Sequence, residues 1–388
     1  MIRVLEIMPL SYSAMAFIGD QLSFFKKNGY EMHLICTPDK DTYGFVEKEE
    51  AIYFPMDIPR AIKPLRDIKN MWRIFRYVRK HKIDVVIGHQ SKGILYGMLP
   101  SKLGGAKFRI VLAHGVLEDT MTGLKQKIFA TENKLMSSFA THVLCVSPSV
   151  MRRRVELGID KPERQRILGR GTCNGVDALK KFNPQIISPK IAEFIRGKYG
   201  LKKDDFVVGF CGRLVRDKGV TELVGAIKLL KEQTPEKQVK LFVVGMLEKR
   251  DALPEDTVNF LKNSDDVIFT GRVDYSEIQN YYTVMDAFVL PSYREGFPTV
   301  VLEASAMALP VIVSRSTGCI DSIIENQTGV YCDITPESIA EAILTFEDKE
   351  KAHQYGQAAR QFVLEHFEHT KVKALMLDLV NQITSKRD

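Results

Sequence analysis

The chain has 388 residues, 45% of them hydrophobic and 27% charged, with a formal net charge of +7. That length exceeds what a single core usually supports, so two domains are expected, and the ordinary globular composition excludes a low-complexity chain. The longest apolar runs, such as "DAFVLPSY" and "LPVIVS", are strand-sized and fall short of the roughly 18–20 residues of a membrane-spanning helix.

In chain order, "MIRVLEIMPL" lacks the length and cleavage chemistry of a signal peptide and reads as a first strand. Further strands are predicted at "YEMHLICT", "IDVVIGH", "RIVLAHG" and "HVLCVS". Between the first two, "DQLSFFKKNG" has the apolar spacing of an amphipathic helix closed by Gly29. Alternation of strand and helix from end to end predicts stacked βαβ units and parallel sheets. Residues 60–82 form a basic helical segment, nine Lys/Arg against one Asp, interleaved with Trp72, Phe75 and Tyr77. It reads either as a solvated helix face or as a surface for anionic lipid headgroups or a phosphorylated acceptor. No nucleic-acid motif accompanies it, so nucleic acid is not an expected partner.

At "KKFNPQIISPK" both periods fail and two prolines appear, which marks 182–190 as the predicted linker. A second alternation follows, with near-continuous apolar strands at "DFVVGFCGRL", "VKLFVVGM", "DVIFTGRV", "DAFVLPSY", "LPVIVSRS" and "TGVYCD", as parallel strands covered on both faces require. One long helical stretch from Ser338 to Phe367 and a further polar helix to Asp388 close the chain. The six cysteines, without a C-x-x-C pair, predict reduced thiols rather than disulfides, a zinc site or a nucleophile. Two doubly wound halves are expected to bind ligands outside the carboxyl ends of their strands, with the cleft between them the natural site.

Those strand ends carry a small polar set. His89 ends "VVIGH" and His114 ends "VLAHG"; each can be structural, or His114 can donate to a sugar hydroxyl and steady developing charge. In "GRLVRDKGV", Arg213 and Lys218 suit a diphosphate, Arg as a planar fork and Lys as a point charge. In "REGFPTVVLE", Pro298 suits a helix start, and N–H groups at Thr299, Val300 and Val301 would face an anion. Glu295 precedes that start and Glu303 follows inside the helix. They read either as a cap and a surface residue, or as ligand contacts, Glu303 accepting a ribose diol; the apolar neighbours of Glu303 favour the second reading.

"REGFPTVVLE" resembles the E-x7-E signature of family 4 glycosyltransferases, retaining enzymes of the two-domain GT-B fold. "GRLVRDKGV", "FTGRV", "STGCIDSIIENQTGV", "NGVD" and "HQSKG…LAHG" fall in that family's order, and the pattern is most similar to bacterial capsule, O-antigen or lipid-linked oligosaccharide enzymes. The resemblance implies an α/β chain of two Rossmann-like domains facing a central cleft. An acceptor-binding domain would span 1–182 and a nucleotide-sugar-binding domain 191–365, with a helix over 366–388 packing back on the first. It implies that Arg213 and Lys218 hold the donor diphosphate without a metal and that Glu303 binds the ribose. Glu295 would contact the transferred sugar beside His114, while Gly296, Phe297, Pro298, Thr299 and Val300 line sugar and phosphate, and Arg272 and Val273 border the base. Many relatives carry a Gly-Gly pair in the first strand–helix loop; here "PLSYSAMAFIGDQ" has only Gly19. The acceptor side is assigned to Ser11, His89 and Lys92.

The expected partners are a nucleotide sugar, UDP-linked, and a glycolipid or saccharide acceptor, with no cofactor and no metal. The expected location is cytoplasmic, peripheral on the inner face of the membrane. A sugar-nucleotide epimerase, a phosphorylase and a non-catalytic nucleotide-sugar-binding subunit stay open as alternatives. No G-x-G-x-x-G follows the first strand of either half, which disfavours a dinucleotide dehydrogenase.

Overall fold

The computed structural model describes residues 1–385 apart from 60, 62 and 235–237, so Arg60 and Ile62 of the basic segment and the last three residues lie outside it. The chain divides into two compact units, Met1–Asn174 with Thr370–Asp388, and Gly175–His369.

The first unit is built on strands β1 Ile2–Leu10, β2 Tyr30–Thr37, β3 Ile52–Tyr53, β4 Val85–His89, β5 Phe108–Ala113, β6 His142–Cys145 and β7 Gln165–Ile167. They form one parallel sheet in the order β3-β2-β1-β4-β5-β6-β7. Its helices are α1 Ser11–Phe17, α2 Gln21–Lys27, α3 Thr42–Lys48, α4 Pro64–His81, α5 Gln90–Gly104, α6 Gly123–Ser138 and α7 Pro148–Glu156. On β1, Val4, Leu5, Ile7 and Met8 are fully buried, as a central parallel strand requires. Glu6 is buried among them, at 1% exposure.

The second unit contains β8 Phe206–Cys211, β9 Val239–Val244, β10 Val267–Gly271, β11 Ala287–Leu290, β12 Val311–Ser314 and β13 Gly329–Cys332. These also pair in parallel, in the order β10-β9-β8-β11-β12-β13. Its helices are α8 Pro189–Lys198, α9 Val220–Gln233, α10 Glu255–Asn263, α11 Ile278–Tyr282, α12 Thr299–Ala306, α13 Pro336–Leu344 and α14 Lys349–His366; α15 His369–Ser385 then runs into the first unit. Both sheets have the doubly wound order, with the winding reversing at β1/β4 and at β8/β11. Loops leaving the carboxyl ends of strands at such a reversal diverge and leave room for a ligand.

Three expectations change. The edge strands β3 and β7, of two and three residues, are too short to carry a period and are absent from the sequence reading. The single helix over 338–367 is two, because the Asp348 carboxylate caps α14 by accepting from the Glu350 and Lys351 N–H groups. The stretch from Phe182 is not a free linker. Phe182 is 1% exposed in the second unit's core, and the buried Arg360 of α14 donates to the carbonyls of Ala178, Phe182 and Ala306 and to Asn183 Oδ1. The passage between units falls earlier, at Asn174–Gly175.

Candidate functional site

In the second unit, the loops after β8, β11 and β12 converge. The N–H of Tyr293 donates to the Asp217 carbonyl at 2.9 Å, and Arg294 reaches the Asp217 carboxylate at 3.1 Å. Gly219 sits at φ +67°, and a Cβ there would lie 2.0 Å from the Pro291 carbonyl oxygen, so only glycine lets the loop close on β11. From the β12 side, Gly318 at φ +83° covers the Glu295 and Gly296 carbonyls so tightly that a Cβ would come within 2.6 Å of both.

This closure sets Lys218 Nζ against Glu295 Oε1, with both side chains 15% exposed. Ser292 Oγ donates to the same oxygen at 2.9 Å. Arg213 is more than half exposed and pairs with Glu248 at 3.2 Å, so the structure brings Lys218, not Arg213, onto the E-x7-E segment. Directly after Glu295, Gly296 and Phe297 lead to Pro298, the N-cap of α12, where no side chain caps the helix. Of the three N–H groups expected to face an anion there, that of Val301 bonds the Pro298 carbonyl at 3.1 Å, leaving Thr299 and Val300 at the terminus. The Phe297 ring is 5.1 Å from that of Phe367, which anchors the turn to the core. Arg272 and Val273 follow β10, Arg272 exposed and Val273 packed on the core.

Glu303 is buried on α12, at 3% exposure. Its carboxylate accepts from Tyr282 Oη at 2.8 Å and Tyr275 Oη at 3.3 Å. Burial pushes the Glu303 carboxyl up to about 7, against the lowering pull of the Tyr282 hydroxyl and the Lys181 ammonium. Lys181 stands 3.0 Å over the Tyr275 ring and is itself pushed down to about 8 by burial. The sequence reading missed all three neighbours; its signal was a buried carboxylate that demanded partners.

In the first unit, His89 Nε2 lies 2.6 Å from Glu6 Oε2, and His89 Nδ1 lies 2.9 Å from His114 Nε2. His89 is 2% exposed, so it stands behind His114 rather than at an acceptor surface, a correction to its expected place. His114 is a half-buried residue, and its ring also rests 5.0 Å from the Phe17 ring. Burial, then the neighbouring His89, hold its pKa well below the usual imidazole value, so His114 is neutral at pH 7. The missed residue is Glu6, legible only as the one carboxylate inside a mostly apolar run. The two other acceptor-side residues are also engaged. Ser11 is 5% exposed and donates to Asp39; Lys92 pairs with the buried Asp67 at 2.8 Å, tying α5 to α4.

Among the described residues, Asp177, Glu368 and His369 each bring one ligand atom within 4.8 Å of the others. The backbone bridge between Val176 and Glu368 accounts for their meeting. All six cysteines are free and buried, and no helix among the described residues is long and apolar enough to cross a membrane.

Two doubly wound sheets of this order, one carrying an E-x7-E pair around an uncapped helix start, define the GT-B class. Two family models match the chain: a glycosyl transferase 4-like domain over residues 19–171 and glycosyl transferases group 1 over 191–362. A capsular polysaccharide biosynthesis glycosyltransferase of Staphylococcus aureus, CapM, is 29% identical across 84% of this chain and 82% of its own. The Escherichia coli UDP-Gal:alpha-D-GlcNAc-diphosphoundecaprenol alpha-1,3-galactosyltransferase is 24% identical across 97% of this chain and 96% of its own. The crystal structure of Anabaena HepE in complex with UDP and glucose superposes with a TM-score of 0.81 at 17% identity, covering 98% of this chain and 100% of that one. The chain belongs to this glycosyltransferase family.

Proposed function

We propose that the protein transfers a sugar from a UDP-sugar to a lipid-linked or saccharide acceptor in the synthesis of a surface polysaccharide, with retention at the anomeric carbon. The observation that carries this reading is the convergence of Lys218, Ser292 and Glu295 on the uncapped start of α12. Departure of UDP develops negative charge on a diphosphate. A cation and a helix N-terminus fixed in advance stabilise that charge without reorganising as it forms. Arg213, on an exposed and screened pair, is proposed to turn from Glu248 to the diphosphate, so that protein cations take the place of a metal. Glu295 contacts the sugar, and Glu303 takes the ribose hydroxyls when Tyr275 yields its place. Arg272 and Val273 border the base. The E. coli relative's own name specifies a UDP-linked donor and an undecaprenol diphosphate acceptor, which supports both substrate classes.

The test is mass spectrometry of products after incubation with a panel of nucleotide sugars and membrane lipid extracts. A lipid-linked product from a UDP-sugar, keeping the donor's anomeric configuration by NMR, is expected. Conversion of donor without acceptor would instead mean epimerisation, and UDP binding without any turnover a non-catalytic subunit.

A lipid-linked acceptor implies work at a membrane surface, on the cytoplasmic face where nucleotide sugars are made. Helix α4 suits it. Asp67, Asn70, Ile74, Tyr77 and Val78 turn inward, while Leu65, Ile68 and Trp72 are 88%, 65% and 55% exposed. Arg76 stacks on Trp72 at 4.7 Å, and Lys69, Arg79 and Lys80 flank the apolar stripe. An exposed apolar stripe bordered by cations fits an anionic headgroup layer better than bulk water, and each cation contributes about 1 kcal/mol near such a surface. Co-sedimentation with anionic vesicles is expected for the native protein and lost in the variant carrying Trp72→Ala, Arg76→Gln and Arg79→Gln. Equal binding to neutral and anionic vesicles would remove α4 from the reading.

A further inference from the structure

We infer that Glu6 and His89 are positioning residues that fix the tautomer of His114, so that His114 presents Nδ1 as a hydrogen-bond acceptor to a substrate hydroxyl. The three side chains come from three adjacent strands around the β1/β4 reversal of the first unit: Glu6 in the middle of β1, His89 at the end of β4, His114 just past β5. Their contacts run in series, Glu6 Oε2 to His89 Nε2 at 2.6 Å and His89 Nδ1 to His114 Nε2 at 2.9 Å. An ionised carboxylate only accepts, so the His89 Nε2 carries the proton of the first bond. With a single proton on His89 its Nδ1 keeps a lone pair, and the second bond then takes the proton of His114 on Nε2; a second proton on His89 would reverse that bond. That leaves Nδ1 of His114 as an acceptor at the partly exposed end of the chain.

A charge in a central strand is expensive unless it is paired and hydrogen-bonded. Glu6 and His89 are 1% and 2% exposed, in positions where apolar residues would complete the sheet at lower cost. Among the described residues, two rings lie against His114, Phe17 at 5.0 Å and His89 at 5.1 Å between centroids. The arrangement follows the logic by which a buried carboxylate holds an imidazole in one tautomer in acyl-transfer enzymes, here extended by a second ring. It reverses the donor role assigned to His114 from the sequence. The hydroxyl-bearing substrate rests on the proposed sugar transfer; the tautomer does not.

The experiment therefore has two readouts. Long-range 15N–1H correlation spectra of the full-length protein at pH 7.5 are expected to show His114 and His89 both as neutral Nε2–H tautomers. A proton on His114 Nδ1, or a doubly protonated His89, overturns the inference whatever the enzyme's substrate. In Glu6→Leu, which has no acceptor for the His89 Nε2–H, the single Nε2–H pattern of His114 should give way to a mixture of both tautomers. With an acceptor in hand, Glu6→Leu and His89→Phe should lower kcat on the order of 10–100-fold while KM for the nucleotide sugar stays within about twofold. Glu6→Asp, which keeps the carboxylate, should restore part of the loss. If His89→Phe keeps its fold by circular dichroism and its full kcat, the positioning role is refuted. If the spectra hold as expected but no sugar is transferred by the native protein, the transfer reading fails and the tautomer assignment stands.

Discussion

Lys218→Ala is expected to lower turnover by about 10²–10³-fold, the usual effect of removing one preorganised group that meets charge developing in the transition state. The variant should keep its fold, because the pair it breaks lies at a loop junction and not in the core. Two causes could produce such a loss. Lys218 supplies a cation for the departing diphosphate, and it also neutralises Glu295, whose side chain is 15% exposed. Removing the lysine leaves that carboxylate with Ser292 as its remaining partner at this oxygen. The double variant Lys218→Ala, Glu295→Gln separates them. If neutralisation were the whole role, the double variant would be no slower than Glu295→Gln alone; if the diphosphate is the partner, it falls well below that single variant. Initial rates of UDP release, with circular dichroism as the folding control, decide it, and full turnover in Lys218→Ala would sink the diphosphate assignment.

The second large effect is at Glu303, where stability and ligand binding should change in opposite directions. In the folded protein its carboxyl is raised from 4.5 to about 7, chiefly by burial. A raised acid means that the folded state holds its proton longer than the unfolded chain does. Its contribution is therefore fully present below about 4.5 and is lost as pH rises through about 7. Above that pH the native protein carries a buried anion that Glu303→Gln would not, so the variant should be the more stable by on the order of 3 kcal/mol at pH 8 and equal near pH 4.5. Thermal melts across that range give the comparison, and a gap that does not grow with pH would contradict it. The same substitution removes a charged acceptor for a ribose diol and should weaken UDP binding about tenfold or more by titration calorimetry. A site that lowers stability in the empty protein and raises affinity in the loaded one is the pattern expected where function, rather than packing, selects the residue.

The fold was legible because its central strands are buried on both faces and so spell continuous apolar runs; "YEMHLICT" coincides with β2. Elements whose cause is not local were not legible. The break between α13 and α14 depends on one aspartate cap, and the attachment of Ala178–Asn183 to the second unit depends on Arg360, which lies far downstream. At the candidate site, E-x7-E was readable as a motif, but the tyrosines that fill the Glu303 carboxylate come from a different helix and loop, and their meeting is a tertiary fact. Glu6 shows the limit in the first unit. A single glutamate in "IRVLEIM" breaks the apolar run, yet only the strand order reveals that it faces His89.

The return of α15 to the first unit has a consequence for the order in which the chain is built. Lys373 pairs with Asp20 at 2.6 Å, Asn381 accepts from Tyr30, and Leu379 and Ile383 lie beside Phe108 and His142. The second unit is one uninterrupted stretch, Gly175–His369, and its core draws on no residue of α15. The first unit begins synthesis earlier but must wait with an uncovered flank until the final helix emerges. A chain ended after His369 should therefore display a protease-resistant second unit beside a first unit that is still open to cleavage.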